Sequence, residues 1–370
     1  MEKRYLTQQI KKDLKSKMVF LAGPRQIGKT TLALSLLKKK AGYLSWDIPE
    51  QREKILKRQY PAAPLIAFDE IHKYRGWRNY LKGFYDDKKD QYQILVTGSA
   101  KLDYYRFGGD SLQGRYHLLR MHPLSAAELH IKQTKDLQVL LDIGGFPEPY
   151  FGQNKNDAKR WSAQYRTRLV EEDINTLETL RDIGKIELLM MRLPELVGSP
   201  LSINALKEDL QVNHYSISKW IDILERNYVL FRLAPFGAQK IRAVKKEQKH
   251  YQYDWALIDE PSFRFENMVA CHLLKWIHFE MDTKGRELDL RYFRDVDKRE
   301  VDFVVTEKRK PTLFVECKWA DAPINSGLLY LKNKFPHVES WQISMTGVKD
   351  YVSRENIRVC PAIVFLKNLI

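Results

Sequence analysis

Apolar positions along the chain change period several times, and each change marks an element. Met18–Ala22 is a short unbroken apolar run, the pattern of a strand buried on both faces. Leu65–Phe68 and Ile94–Val96 repeat it. Thr31–Lys38 has no breaker and predicts a helix directly after the first strand. From Asn156 to Arg192 apolar Trp161, Leu169, Ile174, Leu177, Leu180, Ile183, Ile186 and Leu189 recur among charges, which predicts packing helices. Residues 200–210 and 214–227 then predict two short helices joined by Gln211-Val212-Asn213, with Asn213 as an N-cap. Tyr228–Leu233 predicts a strand, and the three together predict a winged helix. In the last third, Arg299–Val305 and Thr312–Trp319 flank the turn 307–311 and predict an antiparallel hairpin. A helix over 265–274 precedes it; a helix over 328–335 and a strand over 340–343 follow.

The candidate chemistry sits where these elements end. Between the first strand and its helix lies Gly23-Pro24-Arg25-Gln26-Ile27-Gly28-Lys29-Thr30, a complete G-x-x-x-x-G-K-[ST] phosphate loop. Gly23 and Gly28 permit backbone conformations that a Cβ forbids, so successive N–H groups can face one oxyanion at a helix N-terminus. Lys29 would meet the β- and γ-phosphates, Thr30 would give its hydroxyl to Mg²⁺, and Thr31 opens the helix. The run Leu65–Phe68 ends in Asp69 and Glu70, which fits a Walker B strand: Asp69 for Mg²⁺, Glu70 to polarise water. Thr97 and Ser99 close the third strand as a candidate γ-phosphate sensor; Ser99 is equally placed to cap a helix. Arg115 is a candidate arginine finger, acting in its own site or a neighbour's, with Arg106 and Arg120 as competitors.

Taken in order, Gly23–Thr30, Leu65–Glu70, Thr97-Gly98-Ser99, Gly114-Arg115 and Pro123–Leu129 resemble a large prokaryotic family of AAA-type ATPases with a C-terminal nuclease-like domain. The resemblance covers essentially the whole chain and implies an AAA-like P-loop core over the first third.

The hairpin carries a second constellation. Glu316 and Lys318 are two apart and share a face, and Asp302 can lie across the ladder. Glu266 on the preceding helix can approach the same point. This arrangement resembles the PD-(D/E)-x-K nuclease superfamily. The resemblance implies that Glu266, Asp302 and Glu316 hold a metal and that Lys318 positions water. The same four residues also suit a salt-bridge group on an inert scaffold.

Composition narrows the class. At 370 residues the chain has room for two or three domains. The expected division is an AAA-like domain over 1–130, a helical linker and winged helix over 131–236, and an α/β restriction-endonuclease-like domain over 237–370. Cys271, Cys317 and Cys360 stand apart, which argues against disulfides and a Cys-based zinc site and for a reducing, cytoplasmic compartment. Met1–Leu6 lacks a signal-peptide pattern, and no apolar run is long enough to span a membrane. Lys plus Arg number 62 against 47 acids, a net charge of +15 that favours nucleic acid, DNA first, as partner. Lys38–Lys40 also satisfies a helix dipole, so Lys240–Lys249 is the better nucleic-acid cluster. His214, Tyr215, Ser218 and Lys219 would face a DNA groove if the second short helix enters one; otherwise it is a packing helix. The expectation is an ATP- and Mg²⁺-dependent switch coupled to a DNA-binding, DNA-cleaving module. The alternative is a regulatory ATPase acting through protein partners, its nuclease-like part inert. Oligomeric state is open.

Overall fold

The computed structural model describes residues 4–98, 102, 112–174, 183–237 and 248–370. Ser99, Arg106 and most of the 240–249 basic cluster lie outside the described residues. The chain divides into two compact units. One is Met1–His122 with Asp282–Lys284; the other is Pro123–Met281 with Gly285–Ile370.

In the first unit, β1 (Met18–Ala22), β2 (Tyr43–Ser45), β3 (Leu65–Asp69), β4 (Gln93–Thr97) and β5 (Tyr116–Arg120) form one parallel sheet in the order β2-β3-β4-β1-β5. Parallel neighbours need crossover connections, which α1 (Lys29–Leu36) and α2 (Trp77–Lys88) help to supply. Every residue of β1 and β3 is buried, as their unbroken apolar runs require. Phe20, Phe68, Trp77, Phe84 and Val96 build the core, with Phe20 stacked on Tyr116 at 4.3 Å. The parallel direction brings the ends of β1, β3 and β4 to one carboxyl edge, where open α/β sheets bind ligands.

That direction also bears on the two alternatives left open for Arg115. It precedes β5, whose Tyr116 is in register with Met18 at the start of β1, so it lies at the amino edge. A five-residue strand puts roughly 17 Å between that edge and the phosphate loop. There Arg115 holds Asp86 of α2 through two hydrogen bonds of 2.8 and 3.0 Å. The structure therefore does not bring Arg115 to its own loop.

In the second unit the middle of the chain is helical. It includes α3 (Lys155–Arg168), α4 (Ile183–Arg192), α5 (Ile203–Asp209) and α6 (His214–Arg226). Asn213 caps α6 by accepting from Ser216 N at 2.8 Å. Ile217, Trp220, Ile221 and Leu224 turn inward, while His214 and Tyr215 are exposed. The strand expected as a wing, β6 (Leu230–Pro235), instead belongs to an eight-stranded sheet. It pairs antiparallel with β7 (Lys249–Gln252) and parallel with β8 (Leu288–Arg294). Residues expected as a middle domain and residues expected as a C-terminal domain therefore share this sheet. The long helix α7 (Pro261–Lys284) leads into β8. β8, β9 (Glu300–Glu307) and β10 (Lys310–Lys318) run antiparallel. α8 (Ser326–Lys334) then crosses to β11 (Glu339–Ser344), parallel to β10. β12 (Tyr351–Val352) and β13 (Arg358–Pro361) complete the sheet.

Candidate nucleotide site and carboxylate pocket

At the carboxyl edge of the first sheet the chain leaves β1 into the phosphate loop. Gly23 has φ +150° and Gly28 φ +93°, both favouring glycine. A Cβ on Gly23 would sit 2.4 Å from the Met121 carbonyl oxygen. Gly23→Ala is therefore expected to cost about 1–3 kcal/mol through overpacking, read in a urea melt. Lys29 is buried, its Nζ donating to the Gly23 and Pro24 carbonyls at 2.9 and 2.6 Å. Pro24, Arg25, Gln26 and Ile27 form the rest of the loop, with Gln26 left-handed at φ +58°; Thr31 is exposed in the first turn of α1.

Asp69 is the hub. Its Oδ2 accepts from Thr30 Oγ1 at 3.0 Å and Tyr43 OH at 2.5 Å; its Oδ1 accepts from Thr97 Oγ1 at 2.5 Å. Four chain segments thus meet on one carboxylate. Burial and Asp69 push the Tyr43 hydroxyl pKa upward, so the phenol stays a donor. Thr30 hydroxyl and Asp69 carboxylate are hard oxygen donors of the kind Mg²⁺ prefers, so the residues present fit that ion. Glu70 follows in a left-handed conformation, φ +57°. Burial pushes its carboxyl above the usual range, with Lys73 and Lys29 opposing. His72 Nε2 lies 3.6 Å and Lys73 Nζ 3.5 Å from Glu70 Oε2, and Lys73 is tied to Asp47 at 2.6 Å. Tyr43, His72 and Lys73 went unmarked in the sequence. They sit outside the motif, and only the strand order β2-β3-β4 brings Tyr43 to Asp69.

In the second unit, Glu266, Asp302, Glu316 and Lys318 line one pocket with Lys249 and Glu300. Asp302 Oδ2 accepts from Cys317 N at 2.8 Å, and Asp302 N donates to Glu316 Oε2 at 3.3 Å. Glu316 Oε1 is held by Lys318 Nζ and Asn325 Nδ2, both at 2.7 Å. Glu266 Oε1 accepts from Tyr251 OH at 2.7 Å. Burial and the charges of Glu316 and Glu266 push the Asp302 carboxyl well above the usual range. The four residues singled out in the sequence line one pocket. Among the described residues no three His, Cys, Asp or Glu side chains are arranged to hold one ion. Instead the ammonium of Lys249 lies among the acids, 3.4 Å from Glu266 and 4.0 Å from Asp302. An ammonium thus stands among the acids that the resemblance would assign to a metal.

Residues 15–130 match a family described as an AAA domain. Residues 134–260 and 263–363 match two families described as domains of unknown function. The first match supports a P-loop ATPase family for residues 15–130. An uncharacterized protein of Mycobacterium tuberculosis is 24% identical over 246 residues, 65% of this chain and 55% of the relative. The chain thus spans about half the length of the mycobacterial relatives it matches. An uncharacterized protein of Haemophilus influenzae is 22% identical over 309 residues, 79% of this chain and 73% of the relative. Among solved structures, a Bacteroides Pif1 helicase in complex with ADP-AlF3 and single-stranded DNA is 15% identical. It covers 47% of this chain and 51% of its own, at a TM-score of 0.23. The Bacillus subtilis DNA clamp loader delta protein is 9% identical, covering 75% and 99%, at a TM-score of 0.29. Both likenesses are too weak to argue from. Among the described residues no helix is long and apolar enough to cross a membrane.

Proposed function

We propose that the chain is an Mg²⁺-dependent ATP hydrolase working as a switch, coupled to a second unit that binds nucleic acid, DNA by preference. The observation that carries the ATPase reading is the Asp69 carboxylate, held at once by Thr30, Tyr43 and Thr97 beside the phosphate loop. Bound Mg²⁺ would neutralise phosphate charge and orient the γ-phosphoryl group. Lys29 would exchange the Gly23 and Pro24 carbonyls for phosphate oxygens. Thr30 and Asp69 would hold the ion, while Tyr43 and Thr97 fix the Asp69 rotamer. Glu70 would take a proton from the attacking water, oriented by Lys73 and His72. Arg115 has no role in its own site, which leaves a neighbouring copy's site as the place it would serve.

The DNA half of the reading is supported by the net charge of +15 and by the capped α5–α6 pair with exposed His214 and Tyr215. The test is ATP hydrolysis by the purified chain with and without DNA, while DNA binding is followed by fluorescence anisotropy across a salt series. Turnover stimulated by DNA, with affinity falling steeply as salt rises, is the expected result. Turnover indifferent to DNA that stays unbound at low salt would replace this reading with a regulatory ATPase acting through protein partners. That second reading is favoured by the Lys249 ammonium among the pocket acids, which suits a scaffold.

A further inference from the structure

We infer that Lys249 is the resident cation of the carboxylate pocket. Its ammonium takes the place that a divalent ion would hold in a phosphodiester-cleaving site of this layout, so the pocket is closed to Mg²⁺ and Mn²⁺ in the intact chain. This goes beyond the ATPase reading and is independent of it.

Four acids surround the pocket: Glu266 from α7, Glu300 and Asp302 from β9, Glu316 from β10. Lys249 is 1% exposed, and its Nζ is 2.5 Å from Glu300 Oε1 as well as near Glu266 and Asp302. Its ammonium also lies 5.6 Å from the centre of the Tyr292 ring, a cation–π contact. A buried lysine is tolerated only when paired, and here three carboxylates from two elements pair it. The fourth acid, Glu316, is already held by Lys318 at 2.7 Å.

Lys249 cannot easily withdraw. Its backbone pairs with Leu233 of β6 and bridges to Pro200, and Leu201 N donates to the Gln248 carbonyl at 2.8 Å. A divalent ion entering the pocket would meet a fixed positive charge within about 4 Å of its best ligands. Like charges repel strongly at such short range, in a pocket largely shielded from water. The ion would also find the acids already engaged by protein donors: the Lys249 ammonium and the Tyr251 hydroxyl on one side, Lys318 and Asn325 on the other.

The experiment is Mn²⁺ titration of the nucleotide-free full chain by electron paramagnetic resonance, with melting temperature read alongside. The wild type, D302N, K249M and the double variant K249M/D302N are compared. Wild type and D302N are expected to give superimposable Mn²⁺ isotherms. K249M is expected to gain one Mn²⁺ per chain, lost again in the double variant, and to melt higher with Mn²⁺ than without. A Mn²⁺ site in the wild type that D302N removes would overturn the inference. So would a folded K249M with no Mn²⁺ site. Should K249M fail to fold, the comparison of wild type with D302N still decides. The Asp69 site affects all four proteins alike, so its failure to bind ATP would leave this result readable.

Discussion

Glu70→Gln is expected to lower ATP turnover by about 10²–10⁴-fold while leaving ATP affinity within a few-fold of wild type. The amide keeps the volume and the hydrogen-bonding reach of the carboxyl but cannot accept a proton. Loss confined to kcat is the mark of a group that acts in the transition state rather than in binding. Lys29 and Thr30, in contrast, face the phosphate, and their loss would weaken binding first. Single-turnover hydrolysis together with equilibrium binding of a fluorescent ATP analogue separates the two. Undiminished hydrolysis by Glu70→Gln would remove Glu70 from the mechanism.

The environment of Glu70 adds a pH signature. Burial raises its pKa and Lys73 opposes the rise. A base must be ionised, so turnover is lost as pH falls through that raised pKa, at a higher pH than for a free carboxylate near about 4.3. Lys73→Met removes the opposing charge and is expected to move the acid limb to still higher pH. A limb that does not move would mean that Lys73 neutralises Asp47 alone, to which it is bound at 2.6 Å.

How much of this was legible depended on range in the sequence. The phosphate loop is contiguous, and its chemistry is dictated by residues within one turn of each other. Asp69 and Glu70 were legible because a buried strand must release its first polar residues at the sheet edge. Asn213 was legible because capping is local. Whether Arg115 could reach its own loop was not legible because its local context says nothing of which end of a strand faces the nucleotide; only the parallel register of β5 with β1 decides that. Tyr43 was missed for the same reason, since β2 meets β3 only across the sheet. Lys249 was read as the end of a basic surface run, yet it is buried. Its nearest partner in sequence, Glu266, is 17 residues away, and such pairing leaves no trace in charge spacing. The strand after α6 was legible, but its membership of the large sheet was not: β6 also pairs with β8, a partner further along the chain than any local pattern reaches.

The segment Pro123–Leu129 carries part of the family resemblance but no obvious chemistry, and its contacts lead to the second large prediction. Lys275→Met is expected to destabilise the second unit by about 3–5 kcal/mol. Lys275, on α7, is 2% exposed. Its Nζ donates to Pro123 O at 3.1 Å, Ser125 Oγ at 2.8 Å and Glu128 Oε2 at 2.5 Å. One turn earlier on α7, His272 Nε2 accepts from Ala126 N at 3.0 Å, and its Nδ1 donates to Met268 O at 2.7 Å. The segment is therefore fastened to α7 by a buried cation and a neutral imidazole. Removing the cation takes its ion-pair ammonium away from Glu128, a side chain only 2% exposed. Adding Glu128→Gln should recover much of the loss, because a neutral amide is cheaper to bury beside the missing ammonium than a carboxylate. The imidazole gives the same unit an acid weakness. Burial lowers the His272 pKa from 6.5 to about 4, and His250 is lowered to about 4 as well. Between those values the unfolded chain binds protons that the folded chain refuses, so stability falls as pH drops from 6.5 toward 4. Urea melts of wild type, K275M and K275M/E128Q at pH 7 and pH 5 measure both effects together. A K275M protein as stable as the wild type at pH 7 would show that the Lys275 ammonium adds nothing net to the hold on Pro123–Leu129.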